Sequence, residues 1–327
     1  MSGIKSKPKA SSKTVLAHHS IADRINNLKR KSKSKSSLFE HVHKENNDSN
    51  SYITTKQKYQ SIVKSGRSQS QPKFSYQDKQ DQAATKDSNN KKLVFSCRTR
   101  KGFCPSSLEK PNQDSYFAKV NFMGRSNYHV FCVCDGHGVN GHLVSQFVVK
   151  SLQVHLSKRI IAWEAANQDL GDSKQLPLEE IIFNAVDSCV KDLHNTGVDI
   201  MFSGTTCTCC MIKDDLLYVT NIGDSRAILG FDQDSKIVCK ALSYDHKPEI
   251  DSEKLRVINS GGRIAKIMTN HGHFVGPQRV WLNDEDVPGL AMTRSIGDLV
   301  AESVGVTWKP GTIKSYRNHY LSTVCGR

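Results

Sequence analysis

Long apolar runs are missing from this chain of 327 residues. Nowhere do the roughly 18 consecutive apolar residues of a membrane-spanning helix occur, and no apolar core near the start resembles a secretory leader. Residue 2 is Ser rather than Gly, so the N-myristoylation pattern is absent too. The expectation is an intracellular protein of the cytoplasm and/or nucleus, without signal peptide or transmembrane segment. Acidic side chains are scarce in one region only. Residues 1–92 hold 20 Lys+Arg against 7 Asp+Glu, which leaves 26 against 25 for the remainder. Nearly all of the net charge of +14 therefore belongs to an arm, and the high pI does not mark a nucleic-acid-binding domain.

The arm lacks apolar periodicity. It is rich in Lys, Ser, Asn and Gln, as in Lys31-Ser32-Lys33-Ser34-Lys35-Ser36-Ser37, and reads as disordered and basic over 1–92, with weak affinity for an anionic partner as its one implied interaction. Cysteine is missing from it: all ten cysteines follow residue 96. Without a secretory context or a regular loop framework, disulfides are not indicated. Cys207-Thr208-Cys209-Cys210 lacks the second, spaced ligand pair of a structural zinc site along its own sequence, so buried, reduced thiols in a core are the better reading.

From residue 93 short apolar runs alternate with turn signals. Strands are expected at 93–97, 115–120 and 128–134, then helices at 139–156 and 178–193, where apolar residues recur at helical spacing, with a polar loop at 167–175 between them. Strands at 204–212, 216–221, 226–231 and 236–242 follow. A helix over 248–260 comes next, opened by Pro248 and closed by Gly261-Gly262. Grouped strands rather than strict alternation with helices predict an α+β fold with antiparallel sheets.

The chemistry concentrates at Cys134-Asp135-Gly136-His137-Gly138, the end of the strongest strand. A carboxylate, a glycine whose carbonyl can be approached closely and an imidazole at a strand tip suit hard cations and proton transfer. Asp114, opening another strand, could bring a second carboxylate to the same end, and Asp199 is a further candidate ligand ahead of Ser203-Gly204-Thr205-Thr206. Asp224 and Arg226 read as a pair across a hairpin turn, and His246 as a capping or loop residue.

In order, Lys110-Pro111-Asn112-Gln113-Asp114-Ser115-Tyr116, Val133-Cys134-Asp135-Gly136-His137-Gly138, Phe202-Ser203-Gly204-Thr205-Thr206, Asn221-Ile222-Gly223-Asp224-Ser225-Arg226, Asp245-His246-Lys247-Pro248, Ser260-Gly261-Gly262-Arg263 and Gly289-Leu290-Ala291-Met292-Thr293-Arg294-Ser295-Ile296-Gly297-Asp298 resemble the metal-dependent serine/threonine protein phosphatases of type 2C. The resemblance implies a four-layer sandwich of two antiparallel β-sheets flanked by helices, with a catalytic domain over 93–307. It also implies two Mn2+ or Mg2+ ions, phosphorylated protein substrates, no obligate regulatory subunit and a monomer.

By the same resemblance Asp135 bridges the ions, Gly136 offers its carbonyl, Asp114 hydrogen-bonds metal waters or ligates through them, and Gln113 offers a neutral oxygen directly or through water. His137 protonates the leaving oxygen, and Lys110 stands nearest the role of a phosphate-binding cation. Gln113 replaces an acidic residue that many members have. The family continues past this point into an Asp-Gly-x-Trp motif and a final Asp-Asn pair that carry further ligands. Residues 308–327 read Trp308-Lys309-Pro310-Gly311-Thr312 to Cys325-Gly326-Arg327 instead, an atypical tail. The implied fold is thus C-terminally truncated, with a sheet edge left open, and a catalytically impaired relative that binds phosphoproteins is the alternative function.

Overall fold

The computed structural model describes residues 79–86, 92–102, 111–167, 176–315 and 322–326. Most of the basic arm and Lys110 lie outside these residues. Residues 79–86 do not follow the expectation of a structureless arm as far as residue 92. They form β1 (Lys79–Lys86), paired antiparallel along its full length with β2 (Lys92–Thr99), so backbone pairing supplies there what the polar side chains do not announce.

The centre of the molecule is β4 (Tyr128–His137), whose side chains alternate between two environments as a strand buried on one face requires. Val130, Cys132 and Cys134 are buried among apolar side chains, with Phe131 and Val133 on the opposite face only partly covered. β3 (Asp114–Lys119) pairs with one edge of β4, register Asp114 to Asp135 through Lys119 to Val130. β6 (Cys207–Lys213) pairs with it as well, and β5 (Gly204–Thr205) continues that pairing to the strand tip, where Thr205 faces Gly136 and Gly204 faces His137. β7 (Leu216–Ile222) extends the sheet beyond β6.

Two helices cover one face of this sheet. α1 (Gly141–Ala166) begins where β4 ends, and α2 (Leu178–His194) packs beside it. α1 runs ten residues further than its expected end because the apolar spacing continues through Ile160 and Trp163, the first fully buried and the second packed on the core. Val144, Val148, Leu152 and Leu156 from α1 and Ile182, Ala185, Val186 and Leu193 from α2 fill the space against β4 and β6. Each buried Leu or Val contributes about 1.5–3 kcal/mol by removal from water. On the other face Cys210, Leu217 and Val219 meet Ala227 and Leu242 from the neighbourhood of β8 (Arg226–Gln233) and β9 (Lys236–Ala241).

α3 (Asp251–Asn259) packs on β10 (Gly262–Met268), and β8 and β9 belong to a smaller second sheet against the other face of the main one. β10, β11 (Phe274–Leu282) and β12 (Pro288–Leu290) make a separate three-stranded sheet that no periodic pattern foretold. β13 (Ile296–Gly297) pairs with β5, and the one-turn α4 (Leu299–Glu302) follows it.

The tail departs from expectation. β14 (Gly311–Ser315) pairs with β7, so the open sheet edge is filled, and β15 (Ser322–Gly326) pairs with β8. Trp308 packs against the core and meets the Phe183 ring at a centroid distance of 5.7 Å. The mix of helices and antiparallel sheets is the α+β class the residue pattern predicts. Among the described residues no helix is long and apolar enough to cross a membrane.

One buried ion network ties α3 to the segment leading into β13. Glu253, 3% exposed, accepts hydrogen bonds from Arg256 Nη2 at 2.6 Å, Arg294 Nη2 at 2.6 Å and Thr293 Oγ1 at 2.7 Å. Burial alone would raise its pKa, but these donors outweigh burial and hold the carboxyl well below the usual range.

A carboxyl whose folded value is depressed adds stability above its unfolded value, about 4.3, and loses it as pH falls through the folded one. Glu253→Gln is therefore expected to cost about 2–3 kcal/mol near neutral pH, since the two arginines keep partial solvent access. Urea unfolding should show the gap from wild type shrinking below about pH 4, and a gap that stays constant down to pH 3 would contradict the account.

Candidate active site

The main sheet presents one polar end, where β3, β4 and β5 meet. Asp114 and Asp135 are direct partners in the antiparallel register, so their side chains emerge on the same face. Such partners have Cβ atoms about 4.5–5.5 Å apart, and two like charges directly opposite repel unless a cation lies between them. That juxtaposition fits a hard divalent ion. Among the described residues the carboxylates at this end form a pair and not a cluster of three ligands within 4.8 Å.

The strand tip is held by its backbone. Asp135 N–H donates to Thr206 Oγ1 at 2.9 Å, and Thr206 N–H returns a bond to the Asp135 carbonyl at 3.0 Å. Thr206 Oγ1 also bonds Ser225 Oγ at 2.7 Å, which links the β4 tip to the turn after β7. Gly136 N–H donates to the Gln113 carbonyl at 3.1 Å. A Cβ on Gly136 would lie 2.6 Å from that carbonyl and closer still to the Gly141 carbonyl, so the junction between β4 and α1 admits no side chain.

The Gln113 side chain is partly committed: its Nε2 donates to the Gly138 carbonyl at 2.6 Å. Asp199 lies on the loop facing this turn. Its Oδ1 accepts from Met201 N–H at 3.0 Å, and its carbonyl accepts from Asn140 Nδ2 at 2.9 Å.

His137 and Asp298 form the closest polar contact of the site. His137 Nε2 is 2.5 Å from Asp298 Oδ2, the imidazole 23% and the carboxylate 3% exposed. Burial would lower the imidazole's pKa; Asp298 more than reverses this, helped by Asp135 and Asp224, so His137 titrates above an ordinary histidine. Its Nδ1 is buried and has no hydrogen-bond partner among the described residues. Asp298 reaches this place because β13 pairs with β5 at Gly297 and Gly204, and because its own backbone is left-handed, φ 51°. A Cβ on Gly204 would stand 2.6 Å from Ser295 Oγ and nearer to the Asp298 carboxylate.

Asp298 closes the last of the sequence motifs, but no sequence feature assigns it a role. Its signal is an acidic side chain buried at the start of a one-turn helix, which only the fold exposes.

Asp224 was also missed. It does not pair with Arg226: Arg226 forks onto Asp245 at 2.8 and 2.9 Å, while buried Asp224 is bound by Lys247 and acts on His137 through charge. Asp224 is buried in the bend between β7 and β8, whereas Arg226 is the exposed first residue of β8. His246 serves the loop as expected. Its Nδ1 accepts from Gly223 N–H at 3.1 Å, and burial, with Arg294 adding, pushes its pKa down to about 4.

The described residues therefore bring Asp114, Asp135, Gly136, Gln113 and His137 to one end of the sheet, with Asp199 on the adjoining loop. Lys110 lies outside the described residues.

Residues 98–319 match the family described as Protein phosphatase 2C. The chain is 32% identical over 237 residues to "Probable protein phosphatase 2C 35" of Arabidopsis thaliana, covering 68% of this chain and 65% of that one. It is 33% identical over 234 residues to "Probable protein phosphatase 2C 14" of Oryza sativa subsp. japonica, covering 61% and 43%. The chain thus spans less than two thirds of the length of these relatives. A crystal structure of serine-threonine phosphatase 2C from Toxoplasma gondii shares the fold, with a TM-score of 0.51 at 18% identity over 65% of this chain and 76% of that one.

Because the atoms facing Gly136 are backbone, which cannot swing aside, Gly136→Ala should destabilise the chain by about 1–3 kcal/mol. Chemical denaturation monitored by circular dichroism measures this. A change below about 0.5 kcal/mol, the range of an ordinary surface substitution, would show the junction to be looser than the close approach implies.

Proposed function

The chain belongs to the protein phosphatase 2C family, and from that premise we propose that it hydrolyses phosphoserine and phosphothreonine in protein substrates. The observation that carries this reading is the convergence of Asp114 opposite Asp135 with His137 held by Asp298. A facing pair of carboxylates suits hard, oxygen-seeking cations, and the adjacent imidazole, its pKa raised above that of an ordinary histidine, suits a proton donor.

In this reading Asp135, the Gly136 carbonyl and Asp114 hold Mn2+ or Mg2+, with the Gln113 amide oxygen and Asp199 contributing directly or through water. Two such ions, when bound, supply an activated water and neutralise phosphoryl oxygens. His137 carries the proton that the leaving serine or threonine oxygen requires, and Asp298 keeps the imidazole charged and aimed. Lys110 is the proposed contact to the substrate phosphate, as a point charge rather than a fork. No side chain need act as a covalent nucleophile. The proposed partners are phosphoproteins, met by a monomer without a regulatory subunit inside the cell.

A second reading is a phosphoprotein-binding relative with little turnover. It is favoured by the absence of a third carboxylate close to Asp114 and Asp135 among the described residues.

Hydrolysis of a phosphothreonine peptide by the purified chain, with and without Mn2+, separates the two readings. Metal-dependent turnover that Asp135→Asn abolishes supports the hydrolase; peptide binding without turnover by folded protein supports the second reading. If His137 donates the proton, His137→Ala should slow cleavage of the alkyl phosphate by about 10²–10⁴-fold. An aryl phosphate, whose leaving group needs no proton, should be slowed far less. Equal losses on both would remove His137 from that role.

A further inference from the structure

On the helix-facing side of the strands that carry the site lies a different set of donors. β4 contributes Cys132 and Cys134, two residues apart on one face, and β6 contributes Cys207. Their Sγ atoms all lie within 4.8 Å of one another, with Cys132 to Cys134 at 3.9 Å and Cys132 to Cys207 at 3.7 Å. The three residues are 1%, 1% and 0% exposed. Cys209 stands directly opposite Cys132 in the register and hydrogen-bonds with it. The second ligand pair that the cysteine-rich run of β6 lacks in its own sequence is thus provided by the neighbouring strand.

We propose that Cys132, Cys134 and Cys207 form a binding site for one thiophilic divalent cation of the zinc and cadmium class, distinct from the oxygen-lined end of the sheet. Metal–sulfur bonds of about 2.3 Å in tetrahedral geometry place sulfurs about 3.8 Å apart, so two of the three edges already have the required length. The donor type sorts the ions: thiolates select soft and borderline cations, while Mn2+ and Mg2+ prefer the carboxylates.

Charge selects the valence. Each thiol that binds exchanges its S–H bond for an S–metal bond and releases a proton to solvent. Three thiolates around a divalent ion leave one net negative charge in the core, whereas a monovalent ion would leave two, at a higher desolvation cost. The fourth position faces Cys209. Because the cluster is sealed, the ion enters while the chain folds or when α1 and α2 part from the sheet. Cys134 immediately precedes Asp135, and Cys207 follows Thr206, which binds the Asp135 amide, so an ion here would brace the strand tip from below. The proposal does not depend on the hydrolase reading.

The test is to refold the full chain under reductant with Co2+ or Cd2+ as probe, check the fold by circular dichroism, and record the thiolate-to-metal charge-transfer band. The band should saturate at one equivalent of thiolate-bound ion, with release of three protons. Cys132→Ala, Cys134→Ala and Cys207→Ala should each weaken binding about tenfold or more. Cys210→Ala, on the opposite face of β6, and exposed Cys239→Ala should leave it unchanged. A folded wild-type chain without the band overturns the proposal and leaves the thiols as core packing, as does a band that survives loss of Cys132 and Cys207. If the core variants fail to fold, X-ray absorption on the loaded wild type decides. Three or more sulfur neighbours, at about 2.3 Å when the loaded ion is zinc, support the site, and an oxygen and nitrogen shell overturns it.

Discussion

Everything in this molecule is referred to β4, a strand hydrogen-bonded to β3 and β6 through most of its length and to β5 at its tip. Pairing with both neighbours removes any freedom to slip, because a shift of one residue would turn Val130, Cys132 and Cys134 out of the core and Phe131 and Val133 into it. With the register fixed, the period of two does the rest. The same strand that buries apolar side chains under α1 and α2 ends by presenting Asp135 and His137 to solvent, and Asp114 has no choice but to arrive opposite Asp135.

The polar end of the sheet is expensive to build and is correspondingly well bonded. Thr206, Ser225, Asn221 and Asp298 are buried, and each finds hydrogen-bond partners. Glu253, with Arg256, Arg294 and Thr293, stabilises the segment that delivers Asp298 from almost a hundred residues downstream of Gly204. That network fixes the chain path by which a distant carboxylate comes to hold an imidazole, and a histidine so held keeps both its proton and its direction.

Chemical hardness divides the two sides of β4. Carboxylates and a carbonyl lie at its tip, thiols lie beneath it, and Cys134 and Asp135 are adjacent in the chain. Ions suited to one set are poorly suited to the other, so the two sets need not compete. The shared strand nonetheless couples them mechanically, because the backbone of residues 134 and 135 belongs to both.

Much of this was legible in the residues themselves. Alternating apolar positions marked β4, helical spacing marked α1 and α2, and Asp135-Gly136-His137 marked the strand tip, because each of these is a local pattern within one element. The order of short motifs carried the family. What the sequence did not reveal depends on contacts between segments far apart. Asp298 meets His137 only because β13 pairs with β5, and Asp224 and Arg226 find separate partners only because the chain returns with Lys247 and Asp245 beside them. Residues 311–315 become an edge strand only because β7 offers unpaired backbone. Likewise the cysteines of β4 and β6 are separate features in sequence and a single cluster in space, since the antiparallel register, which no single strand encodes, sets them side by side.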